Sequence, residues 1–337
     1  MSTSLLAQNN LEDILKRLAL NQALYIPEDI LSSKSLVLFS VPEEDESSEW
    51  RERLDELQSF FALQGIDAMA YINQSELFPL PNQVLDIPIY LKDRKIEHLI
   101  LLLIGANEEP MFLAIGPYNQ EVNWWNPGSN FWVRNPVEWE PMFEELDIYF
   151  KSGTLNRRNF LVNDQPEFFT PSVENSFVFS SSVPRIKAAN IQIALRALNV
   201  EFYNSAGPQI FSFEGLFNNE LRMDILNQRK DALTAFAADS TNNVEIVAYN
   251  VTNRQLTRSG YDYELQYITG DFELLDKYFK STKEREPFEG ERTVFYLRDL
   301  RRNQIYFGKE WNPQEDWFAA LDQFIEAFGS ALLIDGL

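Results

Sequence analysis

Two stretches of this chain end in the same way, and no other feature limits its architecture as tightly. The first runs HLILLLIGANEEPMFLAIG, reaches the tripeptide WNP at Trp125–Pro127, and closes on EWEPMFEELDIYF. The second runs RTVFYLRDLRRNQIYFGKE, reaches WNP again at Trp311–Pro313, and closes on DWFAALDQFIEAF. In each, two apolar runs around a short polar turn read as a β-hairpin. The closing segments place Trp139, Phe143, Leu146 and Phe150, and Trp317, Leu321, Phe324 and Phe328, at the same helical spacing. A tandem duplication of one α/β unit accounts for both endings. The first copy holds the longer loop, with Trp139 twelve positions after Pro127 where Trp317 stands four after Pro313.

The rest of the chain fits that plan. Residues 11–24 read as an amphipathic helix with Leu11, Ile14, Leu15 and Leu18 on one side. The strand 35–41 follows. Ser47 or Ser48 is then placed to cap a helix carrying Trp50, Leu54, Leu57, Phe60 and Phe61, which Gly65 closes. A strand over 67–72 and a crossover to Lys95 lead to the hairpin strands 99–104 and 111–115, and a helix over 137–150 completes the unit. The order β-α-β-α-β-β-α predicts an α/β domain with a mixed sheet over residues 11–150, α+β being the alternative.

From 151 to 189 Ser, Asn, Pro and Gly dominate, interrupted by the apolar runs NFLV and FFTP, which predicts a connector packed on the body. The second α/β domain, 190–337, offers strands over 193–202, 244–249 and 261–268 and a hairpin over 293–307. Its predicted helices span 219–238, a short stretch near Asn253, 272–279 and 315–328.

Composition narrows the function classes. The chain has 51 Asp and Glu against 29 Lys and Arg, a net charge of −22, which repels phosphate backbones and argues against a nucleic-acid partner. The longest apolar run, Leu99–Ile104, is strand-sized and far short of the ~18–20 residues a membrane span needs. There is no cysteine and one histidine, so disulfides, thiolate nucleophiles and zinc sites built on Cys or several His are excluded.

No catalytic, cofactor or metal residue is assigned. A phosphate-binding loop needs glycines ahead of a helix, whereas the loop PEEDESSEW has none and carries five acids from Glu43 to Glu49. Those acids suit Mg²⁺ or Ca²⁺ by type, but they lack EF-hand spacing and read as a solvated loop at a helix start. His98 opens an apolar strand without a GxSxG elbow and reads as structural. A carboxylate pair of the glycosidase kind has no linear motif, and with this many acids none is singled out. The tryptophans are more specific. Trp125 and Trp139 have counterparts in Trp311 and Trp317, which suits structural roles. Trp124 and Trp132 have none, and in a Pro/Gly/Asn-rich loop they are the candidate contacts for a partner.

Three short stretches carry resemblances. Asp299-Leu-Arg-Arg-Asn303-Gln-Ile305 resembles the strand-turn-strand of periplasmic α/β domains of the TolB amino-terminal and curli-transport families, with Asn303 at the turn position that a glycine holds there. PEDILSSKSLVLFSV resembles the first strand of uncharacterised exported proteins of the Bacteroidota. STSLLAQ resembles the tail of a secretion signal, so residues 1–10 read as a signal remnant; a short cytoplasmic N-terminus is the alternative. Together these imply a periplasmic or secreted protein that binds protein partners as a scaffold or accessory of a cell-envelope assembly. The alternatives are a carboxylate-dependent hydrolase of glycans and a small-molecule sensor with its pocket between the domains.

Overall fold

The computed structural model describes residues 11–41, 49–74, 83–105, 110–121, 123–135, 138–151, 155–169, 178–180, 192–196, 211, 216, 219–239, 243–248, 251–279, 285–302, 304–307 and 312–332. The chain forms two compact units, each an α/β sandwich around a six-stranded mixed sheet.

Unit 1 is built from helices α1 (Leu11–Arg17), α2 (Glu49–Gln64), α3 (Gln83–Asp93) and α4 (Trp139–Lys151). Its strands are β1 (Leu20–Ala23), β2 (Lys34–Ser40), β3 (Asp67–Asn73), β4 (Ile96–Ile104), β5 (Pro110–Pro117) and β6 (Ser129–Arg134). They lie in the order β1-β6-β5-β4-β2-β3. β3, β2 and β4 are mutually parallel, β5 is antiparallel to both neighbours, and β1 runs parallel to β6.

The central strands are apolar throughout because both faces are covered. On one face Leu36, Leu38, Leu99, Leu101, Leu103 and Phe112 pack with Ile14 of α1, with Leu18 just beyond it, and with Ile87 and Leu91 of α3. On the other, Val37, Phe39, Ile100, Leu102 and Leu113 pack with Leu54, Leu57 and Phe61 of α2 and Trp139, Met142 and Leu146 of α4. Gly65, at φ +91°, ends α2 as the sequence leads one to expect, with Ile66 N–H donating to the Phe61 carbonyl. Gly116 is required by packing: a Cβ there would sit 2.4 Å from the Phe131 ring.

Unit 2 contributes α5 (Asn219–Asp239, its part from Asp224 onward), α6 (Asn253–Arg258), α7 (Phe272–Tyr278) and α8 (Trp317–Leu332). Its strands are β7 (Val178–Ser180), β8 (Gln192–Arg196), β9 (Asn243–Val247), β10 (Tyr263–Gly270), β11 (Arg292–Asp299) and β12 (Gln304–Tyr306). The order β7-β12-β11-β10-β8-β9 repeats that of unit 1 strand for strand, with the same parallel and antiparallel pairings. One face packs on α5 and α8 through Leu233, Trp317, Leu321 and Phe324. The other packs on α7 through Leu275 and Tyr278, and on α6 through Leu256. The β11–β12 turn begins at buried Asp299, whose carboxylate accepts the Arg301 and Arg302 N–H groups. Asn303 of that turn, Trp311 and the acidic loop 43–46 lie outside the described residues, as do residues 1–10.

Several elements differ from the sequence-based expectation. The helix expected over 11–24 stops at Arg17, where Ala19 takes a left-handed φ of 51°, and the chain turns into β1, which pairs with β6. β6 itself falls where a loop is expected. The region 151–189 is not one connector. Residues 155–169 pack on unit 1, and β7 belongs to the second sheet. Unit 1 comprises Met1–Phe78, Asn82–Pro171 and Glu201–Met223. Unit 2 comprises Pro79–Pro81, Ser172–Val200 and Asp224–Leu337.

Candidate functional site

Trp124 and Trp132 are buried, each only 1% exposed, so neither presents its ring to a partner. The reason lies in β6. Strand alternation sends Phe131 and Val133 into one core layer and Trp132 into the other. There the Tyr149 ring meets Trp132 edge-on at 5.2 Å, and the Arg134 guanidinium lies 4.6 Å over it. Trp124 sits in a tight turn at φ 60°, its N–H donating to the Glu121 carbonyl and its ring edge-on to Tyr118. Trp125 donates from Nε1 to the Leu18 carbonyl at 3.0 Å, and Trp139 and Trp317 are buried, as structural roles require.

His98, also buried, bridges two parts of one loop. Its Nδ1 shares a 2.8 Å hydrogen bond with Ser33 Oγ, and its Nε2 lies 3.1 Å from Asp29 Oδ1. A serine, a histidine and an aspartate thus meet, but not as a hydrolytic triad. Ser33 is buried and its hydroxyl donates to the Asp29 carbonyl, so the oxygen has no open approach for a substrate. Burial holds the His98 pKa below its ordinary value, against the opposing pull of Asp29 and Glu97. The cluster ties the loop before β2 to the start of β4.

Unit 2 differs from unit 1 on one sheet face. Where unit 1 stacks leucines against α1 and α3, the α6 and α7 side of the second sheet carries Arg196, Glu264, Gln266 and Arg298. Glu264 is fully buried, pairs with Arg196, and is in register with Arg298. Arg196 also donates to the Val251 carbonyl and to Asn253 Oδ1. Gln266 is 4% exposed, and among the described residues neither atom of its carboxamide has a hydrogen-bond partner; Glu264 Oε2 has none there either. Buried polar groups without partners cost free energy, so this face is polar at the expense of stability. Among the described residues no three His, Asp or Glu side chains converge as a metal site would require.

Four of the exposed large apolar side chains lie on segments that meet at the end of unit 1 where β2 and β3 begin. Leu63 of α2, Ile148 of α4, Phe160 and Leu161 are 72, 70, 78 and 99% exposed. Hydrogen bonds tie the segments that carry them together. Gln64 Nε2 donates to Asp147 Oδ1 at 2.8 Å, joining α2 to α4. Arg157 donates to the Leu63 carbonyl, and Asn159 Nδ2 to the carbonyls of Gly65 and Ser33. The N–H groups of Arg158 and Asn159 both donate to the Leu31 carbonyl. Single exposed apolar residues are ordinary, whereas four large ones on hydrogen-bonded segments at one end of a unit are less so. In the sequence, Phe160 and Leu161 look like part of a buried apolar run, and only the hydrogen bonds of residues 156–159 reveal why they face outward.

No family model, curated protein or solved structure matches this chain. Among the described residues no helix is long and apolar enough to cross a membrane.

Proposed function

We propose that this protein works by binding, as a non-catalytic scaffold or accessory of a cell-envelope assembly, and that it meets its protein partner through the Leu63, Ile148, Phe160 and Leu161 end of unit 1. The single observation behind the contact surface is the exposure of these four side chains on a hydrogen-bonded frame. A preformed apolar surface binds without first losing backbone freedom, which favours affinity. The placement in the envelope rests on the resemblances of the N-terminal stretch, the first strand and the β11–β12 hairpin. The common strand order of the two sheets supports reading the units as copies of one ancestral unit.

The test is recovery of partners from native envelopes by the wild type and a Phe160→Ser/Leu161→Ser variant. Both side chains are exposed, so the variant keeps its melting temperature and loses the partner. Recovery of the same proteins by both would remove this surface from the reading.

A second reading has one observation in its favour. The unpartnered Gln266 carboxamide beside Glu264 and Arg196 suits a small polar ligand offering both a donor and an acceptor, which would make unit 2 a sensor. Nothing comparable favours a glycan hydrolase. Glu264 is held by Arg196, and Asp299 caps a turn.

A further inference from the structure

The sheet of unit 1 ends at β3, and that edge is covered. Tyr71 N–H donates to the Glu167 carbonyl and Phe169 N–H to the Tyr71 carbonyl, both at 2.8 Å, so a short extended segment pairs in parallel with β3. Between those two bonds Phe168 turns inward and meets three rings, Tyr71 at 5.8 Å and Phe39 and Trp50 at 6.3 Å. The Arg51 guanidinium lies 5.6 Å over it. The chain supplies its own edge with a strand and an aromatic anchor.

Unit 2 ends at β9, which holds the place of β3, and among the described residues no strand lies beyond it. The equivalence extends to single residues. Ile246 registers with Leu195 of β8, as Tyr71 registers with Val37 of β2. Leu195 and Val37 each point to the face covered by the long helix that follows them. Ile225 stands fourteen residues before the last residue of α5, as Trp50 does in α2, and both pairs, Trp50–Tyr71 and Ile225–Ile246, are twenty-one residues apart. Where Trp50 and Tyr71 receive Phe168, Ile225 and Ile246 are 37 and 39% exposed. The strand, Asn-Val-Glu-Ile-Val, carries one charge and no proline, little of the protection that open edges normally have.

We propose that the β9 edge of unit 2 binds an extended segment of a partner protein, paired in parallel, with an aromatic side chain seated on Ile225 and Ile246. The backbone of Ile246 supplies the two hydrogen bonds that Tyr71 makes within unit 1, and main-chain pairing of this kind carries affinity while the side-chain seat carries selectivity. This site is separate from the apolar end of unit 1 and stands or falls without it.

The experiment uses the full chain and a synthetic peptide of its own residues 163–171, NDQPEFFTP, which contains the natural edge-pairing segment. Labelled peptide is titrated by fluorescence anisotropy, and a second peptide with a photoreactive phenylalanine in place of Phe168 is cross-linked and mapped by mass spectrometry. Saturable binding is expected, with cross-links to the Ile225 and Ile246 region and affinity at least about tenfold weaker for Ile246→Asp, the size expected when an apolar seat receives a charge. A peptide N-methylated at the amide of Phe169 leaves the protein untouched and should also bind several-fold to about tenfold more weakly, as loss of one hydrogen bond requires. No saturable binding, cross-links at Trp50 and Tyr71 instead, or equal binding of the methylated peptide would each overturn the proposal. So would a self-associated form that Ile246→Asp dissolves and the peptide does not, because the occupant would then be a second copy.

Discussion

Replacing Trp132 by alanine separates a core tryptophan from a contact tryptophan. The ring is 1% exposed, packed against Tyr149 and covered by the Arg134 guanidinium. Its Nε1 has no hydrogen-bond partner among the described residues, so no hydrogen bond to them is lost with it. Truncating a buried tryptophan costs about 3–5 kcal/mol through lost transfer energy and the cavity left behind. The cation–π contact adds about 0.5–1 kcal/mol. Arg134 keeps its bonds to Glu145 and the Tyr149 hydroxyl, so its own charge stays paired. The sum is about 5 kcal/mol, which for a unit of this size lowers its melting temperature by about 10–20 °C. Urea unfolding followed by far-UV circular dichroism reads the shift in midpoint, and Trp132→Phe, which keeps most of the ring, should recover more than half of it. A loss below about 1 kcal/mol, with alanine and phenylalanine alike, would show that Trp132 is not a core residue and refute the layer assignment of β6.

Two further outcomes follow from unit 1. Because burial depresses the His98 pKa, the unfolded chain takes up the proton first as pH falls below the ordinary histidine value of about 6.5. The wild type therefore loses stability more steeply than His98→Gln between about pH 7 and 5.5, whereas parallel curves from thermal melts would show that His98 titrates as it does unfolded. Phe168→Ala removes the anchor of the segment on β3. Since Phe168 is half-buried, the cost is about 1–2 kcal/mol, and limited proteolysis should cut within 155–169 faster than in the wild type.

The elements read correctly from sequence are those whose partners and signals are local. β4 and β5 form a hairpin, α2 closes on a glycine, and α4 and α8 carry apolar stripes, so periodicity and turn chemistry suffice. β1 is four residues, LNQA, with only Leu20 buried, and its pairing partner begins at Ser129. No local pattern announces such a strand, because its stability comes from a neighbour more than a hundred residues away. β6 carries a local signal in the apolar run Phe131-Trp132-Val133, but the WNPG before it and the density of tryptophan suggest a loop. The His98 link spans 65 residues and could not be read in advance. In unit 2, Arg196, Glu264, Gln266 and Arg298 alternate with apolar residues along their strands, a pattern that reads as one wet face. In the fold that face is covered, which is why its unpartnered groups stand out only in three dimensions.

The interleaving of the two units along the chain has a consequence for how the protein is made. Phe211 and Leu216 belong to the first core, yet they are translated after β7 and β8, which belong to the second. Leu216 is polymerised 65 residues after Lys151, the end of α4, an interval of about 3–13 s at ~5–20 residues per second. During that time a nascent chain already holding all six strands of the first sheet keeps an apolar gap open at the Phe112 side of its core. A ribosome-bound chain stopped before Phe211 should therefore be captured by chaperones that bind exposed apolar surface, and one long enough for Leu216 to have left the exit tunnel should be released from them.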